Sequence, residues 1–152
     1  MDVLATYRRL ERLPFGRRAF SLAYQFAAPY FLTIPAQLED VEPGLARAKM
    51  RQTPWVRNHL GTVHAIALCN LAEYTMGALA EATIPKTHRW VPKGMSVEYR
   101  AKACGTMHAT AALQLPDPVG DRTELPVEVT VCDEGGLEVF TATIRIWVTE
   151  RR

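Results

Sequence analysis

The spacing of apolar residues divides the chain into a helical start, a paired-strand segment, a long apolar stretch and a strand-rich second half. Val3, Leu4, Tyr7 and Leu10 recur at helical spacing opposite Arg8, Arg9, Glu11 and Arg12, which predicts an amphipathic helix ended by Pro14 and Gly16. A second helix is predicted from about Arg17 to Ala28, with Phe20, Tyr24, Ala27 and Phe31 as its apolar edge and Pro29 as its stop. Those aromatics form a lid over a lipid-like ligand or a membrane-surface helix, or they cover an open part of the core. From Ile34 the period falls to two. Ala36 and Leu38 alternate with Gln37 and Glu39, and Glu42-Pro43-Gly44 reads as a turn. Ala46, Ala48 and Met50 then alternate with Arg47, Lys49 and Arg51 as a returning strand, whose basic row is a solvated face or a contact for a phosphorylated ligand.

The stretch from Asn58 to Ala82 is the one the rest must cover. It opens as a polar loop with His59, Gly61 and His64, and continues as a helix apolar on nearly every side, broken by Asn70, Glu73, Tyr74 and Thr75. Such a helix is buried, and in a chain of 152 residues it is buried only by being wrapped. A carboxylate midway along it, Glu73, must be paired, neutralised or used as a general base.

After the helix, 85–92 reads as a loop with Lys86, His88, Arg89 and Trp90. Met95, Val97, Tyr99, Ala101 and Ala103 then face one way against Ser96, Glu98, Arg100 and Lys102. A second strand follows over 106–115, with Met107, Ala109, Ala111 and Leu113 inward. A third carries Val127, Val129 and Val131, and a fourth runs over 137–149. Short connections favour antiparallel neighbours. One long helix with about six strands predicts an α+β fold, a curved antiparallel sheet wrapped round the helix with the N-terminal helices outside it.

Composition narrows the function. A net charge of +2 with scattered basic residues argues against nucleic acid as a partner. Three cysteines, Cys69, Cys104 and Cys132, without CxxC spacing read as reduced thiols. Charged residues precede any long apolar run, so no signal peptide is expected, and Glu73 argues against membrane insertion. The expectation is a cytoplasmic protein. His59, His64 and Glu73 are a conceivable ligand set, but a five-residue histidine spacing does not share a helical face as HExxH does. Neither a metal nor a cofactor is expected. There is no GxSxG and no Gly-rich phosphate loop.

The run Asn58-x-x-Gly61-x-x-His64 before the helix, with Glu73 nine residues after His64, resembles the hotdog-fold acyl-CoA thioesterases, the phenylacetate-pathway type in particular. The chain is also similar to an uncharacterised hotdog branch, DUF4442, which has a like helical N-terminus. The resemblance covers roughly 34–149 and divides the chain into a helical segment, 1–33, and a hotdog domain, 34–152. It implies Glu73 as general base or nucleophile, Asn58 holding the carbonyl or the attacking water, and His64 orienting the loop. The backbone N–H of Ala65 at the helix start would donate to the thioester oxygen. Gly61, Ile66, Gly77, Met95 and Lys93 are the implied substrate contacts, and Lys86, Arg89, Arg100 and Lys102 are further candidates for the CoA phosphates. The family's two glycines after the histidine are here Ala65 and Ile66, whose side chains narrow the approach to the helix start.

The reaction implied is hydrolysis of a small, medium-chain or aryl acyl-CoA. The alternative is a hotdog protein that binds an acyl-CoA or fatty acyl group without cleaving it. A hydratase reading expects an acid five positions before a histidine, where this chain has Pro54, His59, Thr83 and Ala103. Nine helical residues separate two positions by about 180° and 13–14 Å. One copy therefore cannot bring His64 and Glu73 to one thioester, and a site shared between subunits of a homodimer or a dimer of dimers is expected.

Overall fold

The computed structural model describes residues 2–151 and bears out the sheet wrapped round a helix. Helices α1 (Val3–Leu10) and α2 (Gly16–Ala27) lead through a short 3-10 helix, Pro29–Thr33, to the hairpin of β1 (Ala36–Glu42) and β2 (Leu45–Met50). A 3-10 turn, Pro54–Val56, precedes the central helix α3 (Ala65–Thr83). Strands β3 (His88–Tyr99), β4 (Met107–Ala112), β5 (Thr123–Cys132) and β6 (Glu138–Glu150) complete the chain. They form one sheet of order β1-β2-β4-β5-β6-β3 with every neighbouring pair antiparallel.

The predicted alternation places the core. Leu38, Ala48, Met107, Val129 and Ile144 are buried on the sheet's inner face, against Leu71, Met76 and Leu79 of α3. Fully burying a leucine of this kind contributes about 1.5–3 kcal/mol. Alanines at 46, 48, 109 and 111 keep β2 and β4 low where α3 crosses them. Leu113, just past β4, is buried as its phase requires.

The two sheet edges are treated differently. At β1 the N-terminal helices supply the partners that a further strand would have offered. Ser21 Oγ accepts from Leu38 N–H at 2.9 Å, Gln25 Nε2 donates to Ile34 O and Ala36 O, and Tyr7 OH donates to Glu39 O at 2.7 Å. Tyr7, Phe20 and Tyr24 form a row of ring contacts that ends on Tyr74 of α3. Covering the core is therefore one role of these aromatics. The β3 edge is open, and Val91 and Tyr99 on it are 56% and 51% exposed.

Four expectations are corrected. Residues 88–92 are strand, not loop, and β3 passes straight through Pro92. An edge strand tolerates proline because one row of its N–H groups needs no partner, and the register slips between Pro92 and Gly94. The same strand stops at Tyr99, because Ala103 turns away to accept from Val63 N–H at 2.8 Å and anchors the loop before α3. β3 and β4 are consecutive yet not paired; β3 crosses to the far edge beside β6. Finally, α3 is not covered all round. Ile66, Asn70, Glu73, Gly77 and Glu81 share one face by their spacing, and of these only Gly77 is buried. Among the described residues no helix is long and apolar enough to cross a membrane.

Candidate functional site

The loop ahead of α3 is held by its own polar groups. His64 N–H donates to Val56 O at 2.8 Å and Asn58 N–H to Thr62 O at 2.9 Å. Asn58 Oδ1 accepts from the N–H groups of Leu60 and Thr62 at 3.0 and 3.1 Å, while its Nδ2 donates to Thr62 Oγ1 at 2.8 Å. The turn-closing role of Asn58 is thus visible, and one of its amide hydrogens has no partner among the described residues. Gly61 has φ of +77°, a left-handed conformation that costs other residues energy. Gln52 ties this loop to the one before β4, donating to Gly61 O and accepting from Gly105 N–H, both at 2.6 Å.

His64 is the N-cap of α3, and its Nδ1 accepts from Ile66 N–H at 3.1 Å. That satisfies one of the donors a helix start leaves unpaired. Ala65 N–H, one residue earlier, has no partner among the described residues. It sits at the positive end of the helix dipole, where negative charge is stabilised.

Further along the uncovered face, α3 borders a cavity of about 310 Å³. Glu73 and Gly77 stand on one side, Tyr24 and Phe31 from the N-terminal segment on another, and Trp90 of β3 closes a third. Glu81 accepts from Trp90 Nε1 at 3.1 Å and fixes the indole. No hydrogen bond or ion pair engages Glu73 among the described residues, and its side chain is half-buried. The Tyr24 phenol is pushed up by burial first, then by Tyr74 and the carboxylates of Glu81 and Glu73, so it stays a neutral donor. One turn before Glu73, Cys69 Sγ lies 3.3 Å from Tyr99 OH, linking α3 to β3. That contact, with some burial, pushes the Tyr99 phenol up to about 12.

His64 and Ile66 border a separate depression with Tyr30, Trp55, Arg57 and Asn70, which shares no lining residue with the Glu73 cavity. Within one chain the structure therefore joins Glu73 to Gly77, and His64 to Ile66, but not the two pairs to each other. Met95 and Lys93 line neither. Met95 packs half-buried on the core, and Lys93 turns to the outer sheet face, 2.9 Å from Glu124 and 4.4 Å over the Trp147 ring. Among the described residues no three His, Cys, Asp or Glu side chains converge as a ligand set. Sequence reasoning missed Trp90 and Glu81 as cavity residues. The signal was there: Glu73, Gly77 and Glu81 are four apart, so a carboxylate, a gap and a carboxylate stack along one face.

Comparison with known proteins adds a family and a set of like folds. The model of the family described as domain of unknown function DUF4442 matches residues 16–148. No curated protein matches the sequence. A crystal structure from a structural-genomics programme is 35% identical, covers 98% of this chain and 99% of its own, and superposes with a TM-score of 0.84. A Pseudomonas aeruginosa protein described as a probable thioesterase is 24% identical over 84% of this chain and 91% of its own, with a TM-score of 0.75. A Streptococcus mutans protein bound to acetyl CoA is 22% identical over 76% of this chain and 89% of its own, with a TM-score of 0.64.

Proposed function

This chain belongs to the DUF4442 family, and we propose that it is a hotdog-fold acyl-CoA thioesterase acting on a small, medium-chain or aryl acyl group. The observation that carries the reading is Glu73, a carboxylate without a protein partner among the described residues, set in the wall of a largely apolar cavity. Like folds in a protein described as a probable thioesterase and in one bound to acetyl CoA support the same substrate class.

In this reading Glu73 takes a proton from water as the water oxygen attacks the thioester carbonyl carbon. The oxyanion accepts from Ala65 N–H at the start of α3, with the remaining Asn58 amide hydrogen as a second donor. Collapse breaks the carbon–sulfur bond, and the proton held by Glu73 passes to the CoA sulfur, leaving a carboxylic acid and a free thiol. Attack by Glu73 itself, with water cleaving the resulting anhydride, uses the same groups. Since the loop and Glu73 open into different cavities of one chain, the working site pairs the loop of one copy with Glu73 of another. The open β3 edge and the exposed Val91, Tyr99 and Ile66 are the surface such a dimer would cover.

A second reading, an acyl-CoA-binding hotdog protein, is favoured by one observation. Ile66 N–H is already occupied by His64, which leaves fewer donors at the helix start than a glycine pair offers. Release of free thiol over a panel of acyl-CoAs varied in length and aromaticity separates the two. Turnover of any member supports hydrolysis, whereas binding without turnover supports the second reading.

A further inference from the structure

We infer that the outer face of α2 docks on an anionic lipid bilayer, with the arginines around the α1–α2 corner meeting the headgroup phosphates. The inference concerns where the protein sits and stands apart from the thioesterase reading.

Helix α2 presents apolar residues on two sides. Phe20 and Tyr24 are buried against the core, as expected of a surface helix. The opposite side should then be polar. Instead Phe15, Ala19, Leu22, Ala23 and Phe26 follow one another at helical spacing, and all five are exposed. Tyr30 and Leu32 in the 3-10 helix that follows are exposed too. Between Arg18 and Glu39 the chain carries no charged residue. Isolated exposed leucines and phenylalanines are ordinary on a folded protein, whereas a continuous stripe of them marks an interaction surface. Leu22 and Phe26 line neither the Glu73 cavity nor the depression beside His64, so this stripe is not a wall of either.

Phe15 heads the stripe under constraint. Its φ is +61°, a left-handed conformation uncommon for a bulky residue. The glycine beside it is committed elsewhere: a Cβ on Gly16 would lie 1.6 Å from Leu10 O, where α1 and α2 meet. The corner thus holds the Phe15 ring, 78% exposed, at the start of the stripe.

Charge identifies the partner. Residues 1–33 hold Arg8, Arg9, Arg12, Arg17 and Arg18 against Asp2 and Glu11, a net +3 in a chain whose total is +2, so the rest carries −1. Among the described residues Arg8, Arg9, Arg12 and Arg18 make no ion pair, and Asp2 is already held by Lys86. A second copy seated on the stripe would bring the same arginines and, from this segment, only Glu11 to answer them. Lipid phosphates answer them all. Aromatic and leucine side chains flanked by arginine rest at the boundary between headgroups and acyl chains. From Phe15 to Phe26 the stripe runs about 17 Å along the helix, which would lie in the plane of the surface. None of the described helices is long and apolar enough to cross instead.

Flotation of the intact chain with phosphatidylcholine vesicles, with and without phosphatidylglycerol, tests this. The wild-type protein is expected to bind the anionic vesicles at least about tenfold more tightly than the neutral ones, and high salt should narrow that gap. Leu22→Ser with Phe26→Ser should weaken binding to both by at least about tenfold, and should keep the wild-type Tm because neither side chain is buried. Arg12→Gln with Arg18→Gln should cut the anionic preference by about tenfold and leave the neutral-vesicle affinity alone. Failure of the wild-type protein to float with anionic vesicles overturns the inference, as does undiminished binding to them by either variant. So does a lipid-free oligomer that loses subunits in the Leu22→Ser, Phe26→Ser variant by sedimentation velocity, because a second copy would then be the occupant.

Discussion

The ring of His64 caps the helix it introduces by accepting the N–H of Ile66 at 3.1 Å. The consequence falls on the residue between them. With Ile66 N–H used, Ala65 N–H is the free donor that a thioester oxygen would meet, and the Ala65 methyl and the branched Ile66 side chain crowd its approach.

Removing the cap should cost stability before it affects chemistry. His64→Ala is expected to lose about 1 kcal/mol in denaturant unfolding, and His64→Asn, which keeps a side-chain acceptor, to recover most of it. Opening the approach should raise turnover instead. Ala65→Gly with Ile66→Gly is expected to hydrolyse its best substrate faster while losing up to about 2 kcal/mol of helix stability. Slower turnover in the folded double variant would show that this branch has built its site around the larger side chains.

Glu73→Gln keeps the volume and removes the charge. Because no ion pair or hydrogen bond holds Glu73 among the described residues, the variant should melt at or above the wild-type temperature. If the carboxylate is base or nucleophile, hydrolysis should fall by at least about a hundredfold while binding persists. Near wild-type turnover would remove Glu73 from the mechanism.

The contact between Gly77 and Tyr24 has a structural test of its own. Gly77→Ala places a methyl against the hydroxyl and should lower the Tm. Adding Tyr24→Phe empties that space, and the ring carbon then lies 4.0 Å from the new Cβ, an ordinary contact. The double variant is therefore expected to be more stable than Gly77→Ala alone. Additive losses would mean that the methyl is accommodated by movement elsewhere.

Much of this was legible in the sequence, and the exceptions share a cause. Period-two alternation located β1, β2, β4 and β5 because their inner faces are buried and their outer faces wet. The same rule failed over 88–103, where β3 is an edge strand. Pro92 reads as a loop signal there although it costs the edge no bond, and Ala101 and Ala103 keep the alternation after the strand has ended. The uniform apolarity of α3 suggested burial on all sides. Asn70, Glu73 and Glu81 are the polar positions that share a face with Ile66, and their helical spacing was the signal, outweighed in that reading by the apolar residues around them, that this strip lies open. Asn58, Gly61 and His64 were legible as a loop with a purpose, but only the hydrogen bonds show that Asn58 spends three of them on the loop itself.

An acid-sensitive feature sits on the outer face of the hairpin. Burial would raise the Glu39 carboxyl, but Lys49 at 2.8 Å and His108 at 3.4 Å outweigh it and hold it below its ordinary 4.5. A depressed folded-state value adds stability above the unfolded value, and that stability is lost as pH falls through the folded one. Glu39→Gln should thus lower the Tm slightly at neutral pH, by no more than a surface pair is worth, and the difference should shrink as the pH falls below the ordinary 4.5 and through the lower folded-state value. A difference that does not shrink with falling pH would assign the effect to packing.

The shared site gives the most demanding prediction. Glu73 and the loop bearing Asn58 and His64 open into separate cavities of one chain, and eight helical residues, about 12 Å, separate Ala65 from Glu73. A two-fold axis beside α3 would bring the loop of one copy to the Glu73 of the other, twice over. Two inactive variants can then repair each other. Asn58→Asp suits the purpose, because its carboxylate still accepts from Leu60 and Thr62 and lets the Thr62 hydroxyl turn and donate, while the amide hydrogen offered to a ligand is lost. Glu73→Gln supplies the other half. After dissociation and reassociation of the mixture, a mixed dimer holds one site with both residues intact and one with neither. About a quarter of the wild-type activity is expected if half the dimers are mixed and each has one working site of two. No recovery despite confirmed subunit exchange would place the whole site within one chain, and a monomer in sedimentation at assay concentration would end the argument for sharing.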